Sequence, residues 1–442
     1  MGNKWYGISN DFLYSAEIAL LRRGGLSHEE VHIHDMELPL LSYQKQYFSN
    51  YEKQYGLTQN YIHYLEINIP NKITKMPEQN ESKNSETKTL QSSDHYPLPL
   101  TVKPVLILIH GYGAGGAIMY KLLKDLGQFF HVYVIDLLGF GSSGRPVYPL
   151  KQACESVEVA ENFFIESLQI FIDKLGLNRS KFYLAGHSFG GYISSVYALR
   201  NPQEIEQLIL LSTIGIPEQP QNYTIDSFVG HFDQRAPVWA VRSIYRLWIR
   251  NYTPFHVLRW GGNIGTKKFL KFYTSTRMES LQCQQEAQEI SNYLHQIFLR
   301  PASAEYGLNS ILQVGAFARN PLMYQLPYFN QLGDQAPKIV FINGDNDWTD
   351  QGHALMLLQR SPEEGGIKNG SLHLVPNAGH HFYADNPVGV VEKILVETHG
   401  EQVSQEFKEY KDKQLNAKNQ QNIKSKIFDQ EIEALNDNQV QN

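Results

Sequence analysis

Short, continuous apolar runs alternate with helix-like stretches through the middle of the chain, and this alternation limits the fold more than any other feature. The runs are Val105–Ile109, Val132–Ile135, Phe182–Ala185, Leu208–Leu211, Ile339–Ile342 and Leu372–Val375. Between several of them stand Ala117–Phe129, Ser156–Leu175, Phe189–Arg200 and His353–Gln359, whose apolar residues fall at helical spacing. A strand that is apolar without alternation is buried on both faces, and a helix between two such strands is the crossover that parallel pairing needs. The expected fold class is therefore α/β, a mostly parallel central sheet with flanking helices. The spacing breaks once. Residues 215–330 are aromatic, helix-like and poor in strands, and read as a helical cap inserted between late strands.

The flanks complete the organisation. Residues 1–70 carry an N-terminal helix and edge strands, among them the strand-like run Tyr61–Ile69. The helix is expected over Asn10–Arg23, with Phe12, Leu13, Ala16, Ala19 and Leu20 at helical spacing and Gly24–Gly25 as its stop. Its apolar face, with Trp5 and Tyr6 ahead of it, either packs on the domain or rests on a bilayer. Residues 71–100 are a polar, disordered insertion by composition, and residues 401–442 a charged polar tail. The core is then 101–214 plus 331–400.

Composition excludes several functions. The 442 residues are 42% hydrophobic, enough for a large core, and carry a net charge of −6, which opposes a nucleic-acid partner. The two cysteines, Cys154 and Cys283, form no CxxC or Cys/His cluster, so no structural metal, cofactor or disulfide framework is expected. The N-terminus lacks the basic start and apolar run of a signal peptide, and Tyr6 stands where a myristoylation signal wants Ser or Thr. No stretch approaches the roughly 18 apolar residues of a membrane span. A cytoplasmic chain is expected, soluble or peripheral on membranes, lipid droplets or mitochondria.

The chemistry lies at the ends of the apolar runs. Gly186-His187-Ser188-Phe189-Gly190 is a G-x-S-x-G, a pattern expected by chance about 0.15 times in a chain this long. Here it follows the strand KFYLA and opens the helix FGGYISSVYALR, the context in which a serine is presented on a sharp strand-to-helix turn. A serine hydroxyl needs a base to take its proton. His380 follows the last run and the turn residue Gly379, and so is the expected base, with His381 as a wall residue or a support behind it. The orienting acid should follow the preceding strand, where Asp345, Asp347 and Asp350 stand. Asp347 is the choice, Asp345 the runner-up, and capping of the next helix the structural alternative. Two backbone N–H groups should bind the oxyanion: that of Phe189, after the nucleophile, and that of Tyr112 in HGYGAGG, with Gly113 as the neighbouring alternative. Trp239, Trp248, Trp260 and Phe255 in the cap are candidate walls of an acyl tunnel.

Asp136-Leu137-Leu138-Gly139-Phe140-Gly141-Ser142-Ser143-Gly144-Arg145-Pro146 resembles a hallmark of one subfamily of the α/β-hydrolase fold. So do Gly315–Leu322 in the cap and His380-His381-Phe382-Tyr383-Ala384-Asp385-Asn386-Pro387. This abhydrolase-domain subfamily includes the lipid-droplet co-activator of triacylglycerol lipase, its relative that deacylates N-acyl-phosphatidylethanolamines, and plant and fungal phospholipid deacylases. The resemblance implies a lipid acyl substrate, through hydrolysis of acyl esters or amides of (lyso)phospholipids or N-acyl phospholipids. In the co-activator the elbow serine is replaced by asparagine, so Ser188 groups this chain with the catalytic members. A non-catalytic scaffold with a lipase partner stays as the alternative. His380 to Asp385 also spells the H-x-x-x-x-D that the subfamily links to lysophospholipid acyltransfer, a second alternative on the same site.

Overall fold

In the computed structural model the structure describes residues 9–48, 50–55, 59–69, 103–231, 237–278, 280–281, 283–349 and 351–416. The chain divides into two compact units, one of residues 1–70 and 99–390, the other of residues 71–98 and 391–442. In the second unit the described part is helical, through the end of the helix Pro387–His399 and again over 401–416. The expected polar insertion at 71–100, the rest of the tail, and Trp5 and Tyr6 lie outside the described residues.

The first unit is built on one eight-stranded sheet. Its strands are β1 (Val31–Glu37), β2 (Tyr61–Ile67), β3 (Val105–Ile109), β4 (His131–Ile135), β5 (Phe182–His187), β6 (Ile205–Leu211), β7 (Lys338–Gly344) and β8 (Gly370–Val375). Their spatial order is β1-β2-β4-β3-β5-β6-β7-β8. From β4 to β8 all pairings are parallel, while β1 and β2 run antiparallel at one edge. The central runs behave as their composition requires: Ile107, Leu108, Leu184, Leu208, Ile339 and Phe341 are fully buried. Because β3 to β8 are parallel, their carboxyl ends lie along one edge. The order reverses between β3 and β5, and such a reversal opens a crevice at that edge.

Helices cover the sheet. They include α1 (Asn10–Arg23), α2 (Tyr120–Phe129), α3 (Val157–Leu175) and α4 (Phe189–Arg200). The Ser9 hydroxyl accepts from Phe12 N–H and caps α1, whose Leu13, Glu17, Leu20 and Leu21 are buried. The helix therefore packs on the domain, and Phe12 and Tyr14 remain outside. His63 on β2 fixes it there. Its Nε2 lies 3.1 Å from Glu17 Oε2 and its Nδ1 2.6 Å from Asp35 Oδ1. Burial alone would lower the His63 pKa, but the Glu17 charge and the bonds from both carboxylates hold it well above the usual imidazole value. Burial in turn raises the Glu17 carboxyl above the usual carboxylate value, with the His63 charge opposing it.

The cap is helical, as its composition implies. Its main elements are α5 (Val238–Trp248), α6 (Pro254–Arg277) and α7 (Gln284–Phe298), inserted between β6 and β7. Gly262, with φ 57° and ψ −157°, interrupts the helical path of α6. Among the described residues no helix is long and apolar enough to cross a membrane.

Candidate active site

Ser188 sits between β5 and α4 with φ 54°, a left-handed conformation that costs a non-glycine residue about 1–3 kcal/mol. The surrounding backbone holds it there. Its N–H donates to Leu211 O at 2.9 Å, and its carbonyl accepts from Gly191 N–H at 3.0 Å. The turn leaves no room for side chains beside it. A Cβ on Gly190 would lie 2.3 Å from His110 O, and one on Gly191 2.0 Å from Thr213 Oγ1.

His380 reaches the serine from the loop after β8. Its Nε2 is 3.0 Å from Ser188 Oγ, and its Nδ1 is 3.0 Å from Asp347 Oδ1. Asp347 follows β7, and Thr349 N–H donates to the same Oδ1 at 3.0 Å. Burial of the Asp347 carboxyl acts to raise its pKa, but the His380 bond and charge, the Ser212 hydroxyl and the Thr349 N–H outweigh it and hold the pKa down to about 2. The carboxylate is thus ionised against His380 Nδ1. This geometry decides between the two acids. Asp345 points elsewhere: its two oxygens accept from Asn377 N–H at 2.9 Å and Ala378 N–H at 3.0 Å, clamping the turn that leads to His380.

The glycine-rich loop after β3 lies over the serine. A Cβ on Gly111 would come within 3.3 Å of Ser188 Cβ, so the peptide joining Gly111 to Tyr112 passes close to the nucleophile position. The Tyr112 ring is packed against Phe140, Phe189 and Phe255, and its hydroxyl donates to Glu305 O at 3.1 Å. Phe189 is the first residue of α4, where an N–H has no partner within the helix. Gly113 is turned by φ 71° toward Phe255.

The hallmark at 136–146 acts as a brace for this loop. Asp136 Oδ1 accepts from Gly116 N–H at 2.5 Å and its Oδ2 from Ser142 N–H at 2.7 Å. The half-buried Arg145 donates to the Gly139 and Gly141 carbonyls. Asp385 is also structural in its contacts. Its Oδ2 accepts from Gly379 N–H at 2.9 Å and its Oδ1 from the Ser280 hydroxyl, so it meets the backbone beside His380.

The sequence profile of the alpha/beta hydrolase fold matches residues 104–387. The chain belongs to the α/β-hydrolase fold family. It is 32% identical over 295 residues to the "Probable 1-acylglycerol-3-phosphate O-acyltransferase" of Oryza sativa subsp. japonica, covering 65% of each chain. With the "1-acylglycerol-3-phosphate O-acyltransferase" of Arabidopsis thaliana it shares 30% over 301 residues, 66% of each chain. With the human "(Lyso)-N-acylphosphatidylethanolamine lipase" it shares 26% over 292 residues, 65% of this chain and 78% of that one. The match spans just under two thirds of the length of the two plant relatives. These relatives are of the abhydrolase-domain subfamily that the motifs resemble.

On this α/β-hydrolase frame three neighbours of the constellation escaped sequence reasoning. His187 Nε2 lies 2.9 Å from His380 O. Its burial, with the adjacent His380 and His381, pushes its pKa well below the usual value, so it is neutral. Its position inside G-x-S-x-G was the available signal. The Trp348 ring stands 4.8 Å from the His380 ring, centroid to centroid. Tyr273 on α6 has its hydroxyl 2.7 Å from His381 Nε2, so the predicted wall residue joins cap to core.

The expected acyl-tunnel walls need correction. Phe255 does pack at the glycine-rich loop, and Trp248 is half-buried against the core. Trp239 and Trp260, however, are 74% and 64% exposed, on the outer side of their helices. Glu17, His63 and Asp136 are close enough together to hold a metal ion. Both His63 nitrogens meet carboxylates and both Asp136 oxygens accept backbone N–H groups, while Glu17 Oε1 is buried with no hydrogen-bond partner.

Proposed function

We propose that the chain is a serine hydrolase that cleaves acyl esters or amides of (lyso)phospholipids or N-acyl phospholipids through an acyl-serine intermediate. The observation that carries this reading is the bridging His380 imidazole, 3.0 Å from both Ser188 Oγ and Asp347 Oδ1. Ser188 Oγ attacks the acyl carbonyl while His380 Nε2 takes its proton. Asp347 holds Nδ1–H and stabilises the imidazolium. The N–H groups of Tyr112 and Phe189 receive the oxyanion. His380 then protonates the leaving lysolipid or amine. Water attacks the acyl-Ser188 ester, gives its proton to His380, and the fatty acid leaves as Ser188 is reprotonated. The lipid class is supported by the relatives' names, two acyltransferases of 1-acylglycerol-3-phosphate and a lipase of N-acylphosphatidylethanolamines. The proposed setting is cytoplasmic and peripheral on a membrane or lipid droplet.

The two plant names favour a second reading on the same site. A lysophospholipid hydroxyl in place of water would take the acyl group from Ser188, with His380 again removing the proton.

The test is covalent labelling by a fluorophosphonate. Wild type should be labelled and Ser188→Ala should not. Folded wild-type protein that stays unlabelled, with vesicles or detergent present, would sink the enzyme reading and leave the scaffold with a lipase partner.

A further inference from the structure

The chain as a whole is net negative, yet residues 237–277, which span α5 and α6, contain eight arginines and lysines and no aspartate or glutamate. Two of the eight are paired from outside the stretch, Arg242 with Asp226 and Arg259 with Glu305. Arg246, Arg250, Lys267, Lys268 and Lys271 are exposed. Large apolar side chains are exposed among them: Trp239 at 74%, Trp260 at 64%, Ile264 at 73% and Phe272 at 56%.

Helical phase puts the two kinds of residue together. After Gly262, the residues Thr266, Leu270 and Thr274 recur every fourth position of α6 and are buried, which fixes its inward side. Ile264, Lys268 and Phe272 share the same period on the outer side, with Lys267 and Lys271 beside them. In α5, Val241 is buried while Trp239, Arg242 and Arg246 follow one another at i, i+3 and i+7 on the exposed side.

Exposed apolar residues scattered singly need no explanation. Here they stand among cations in a stretch that has no acid of its own, against the charge of the whole chain. Indole and aliphatic groups that enter the headgroup region, flanked by Lys and Arg stems that reach anionic headgroups, are what a negatively charged bilayer surface recognises. The N-terminal helix lacks this set. Its Glu17 turns inward to His63, and Asp11 lies beside the exposed Phe12.

We infer that the outer face of α5 and α6 is a docking surface for an anionic phospholipid bilayer. The inference does not rest on the chemistry proposed for Ser188, and Ser188→Ala should dock as wild type does.

The full chain is floated with vesicles of phosphatidylcholine alone or mixed with phosphatidylglycerol, at low and high salt. Wild type should float with the anionic vesicles, about tenfold more weakly with neutral ones, and less at high salt. The triple variant Lys267→Glu/Lys268→Glu/Lys271→Glu should lose at least about tenfold in binding, and Phe12→Ser/Tyr14→Ser none. Should the triple variant fail to fold, Trp260→Ser/Ile264→Ser should weaken binding with an unchanged melting temperature. Brominated lipids should quench wild-type fluorescence more than that of Trp239→Phe/Trp260→Phe. The inference falls if the folded cap variants float as wild type does, or if only the Phe12/Tyr14 variant loses binding. It also falls if wild type ignores vesicles and sediments as a dimer that the triple variant dissociates, because the face would then meet a second copy of the chain.

Discussion

His187 donates its Nε2–H to the carbonyl oxygen of His380 across 2.9 Å, so the residue before Ser188 holds the backbone of the residue opposite it. The bond ties β5 to the loop after β8 and sets where the His380 ring starts. Replacing His187 by Ala should lower kcat about 100-fold with little change in KM, because a misplacement of the base by an ångström costs that much. His187→Gln, which keeps a donor, should recover part of the loss. A wild-type kcat in His187→Ala, measured on a short-chain ester, would refute this positioning role.

Asp347 and Asp345 stand two residues apart and do different work. Asp347→Asn should reduce kcat by about 10,000-fold, the scale for losing the carboxylate that orients a catalytic imidazole. Asp345→Asn should stay within about tenfold of wild type, since it clamps a turn by bonds to backbone N–H groups. Linkage adds a pH signature. The Asp347 pKa, about 2 in the folded protein, lies below the ordinary value of 3.8, so its stabilisation is complete above about pH 4 and lost as pH falls toward 2. Urea unfolding of wild type and Asp347→Asn should therefore differ by about 2 kcal/mol more at pH 6 than at pH 2.

Asp385 meets Gly379 N–H and Ser280, so it serves the loop that carries His380. Asp385→Asn should lower hydrolysis and any acyl transfer to a lysophospholipid by one common factor, about tenfold. The ratio of transfer to hydrolysis should not move. A selective loss of transfer, read by product analysis with labelled lysolipid, would give Asp385 a direct part in acceptor chemistry.

His63 between Glu17 and Asp35 has its pKa raised by folding, so the stability it contributes is full below about pH 6.5 and declines as pH rises through the folded value. His63→Ala leaves Glu17 buried without its cation and should cost about 3–5 kcal/mol at pH 6. Melting curves of both proteins from pH 6 to pH 10 should converge upward in pH. A constant gap would mean that the imidazole stays neutral.

The sheet was legible because its central strands are apolar on both faces, and the constellation was legible because each member follows such a strand. β1 was harder to read. Its sequence VHIHDME alternates with His32, His34 and Asp35 on an edge that pairs only with β2, so no continuous apolar run marks it. The direction of Trp239 and Trp260 was also hidden, because an aromatic-rich helix broken at Gly262 has no single phase to extrapolate. Asp347 was the choice over Asp345 on the sequence, from its place just past the Gly344 turn. Both follow β7 closely enough to serve, and the difference lies in which backbone N–H groups the 377–378 turn presents to Asp345.

β6 and β7 are direct partners in the sheet, paired from Gln207 with Lys338 to Leu211 with Ile342, although the whole cap is spliced between them. The ladder closes beneath the insertion as if the cap were absent. Asp347 and His380 take their positions from strands that the cap does not interrupt. Lengthening, shortening or repatterning the cap therefore leaves Asp347 and His380 in register with Ser188. In an evolving lineage, what such a cap meets is free to drift while the geometry of Ser188, His380 and Asp347 is inherited unchanged.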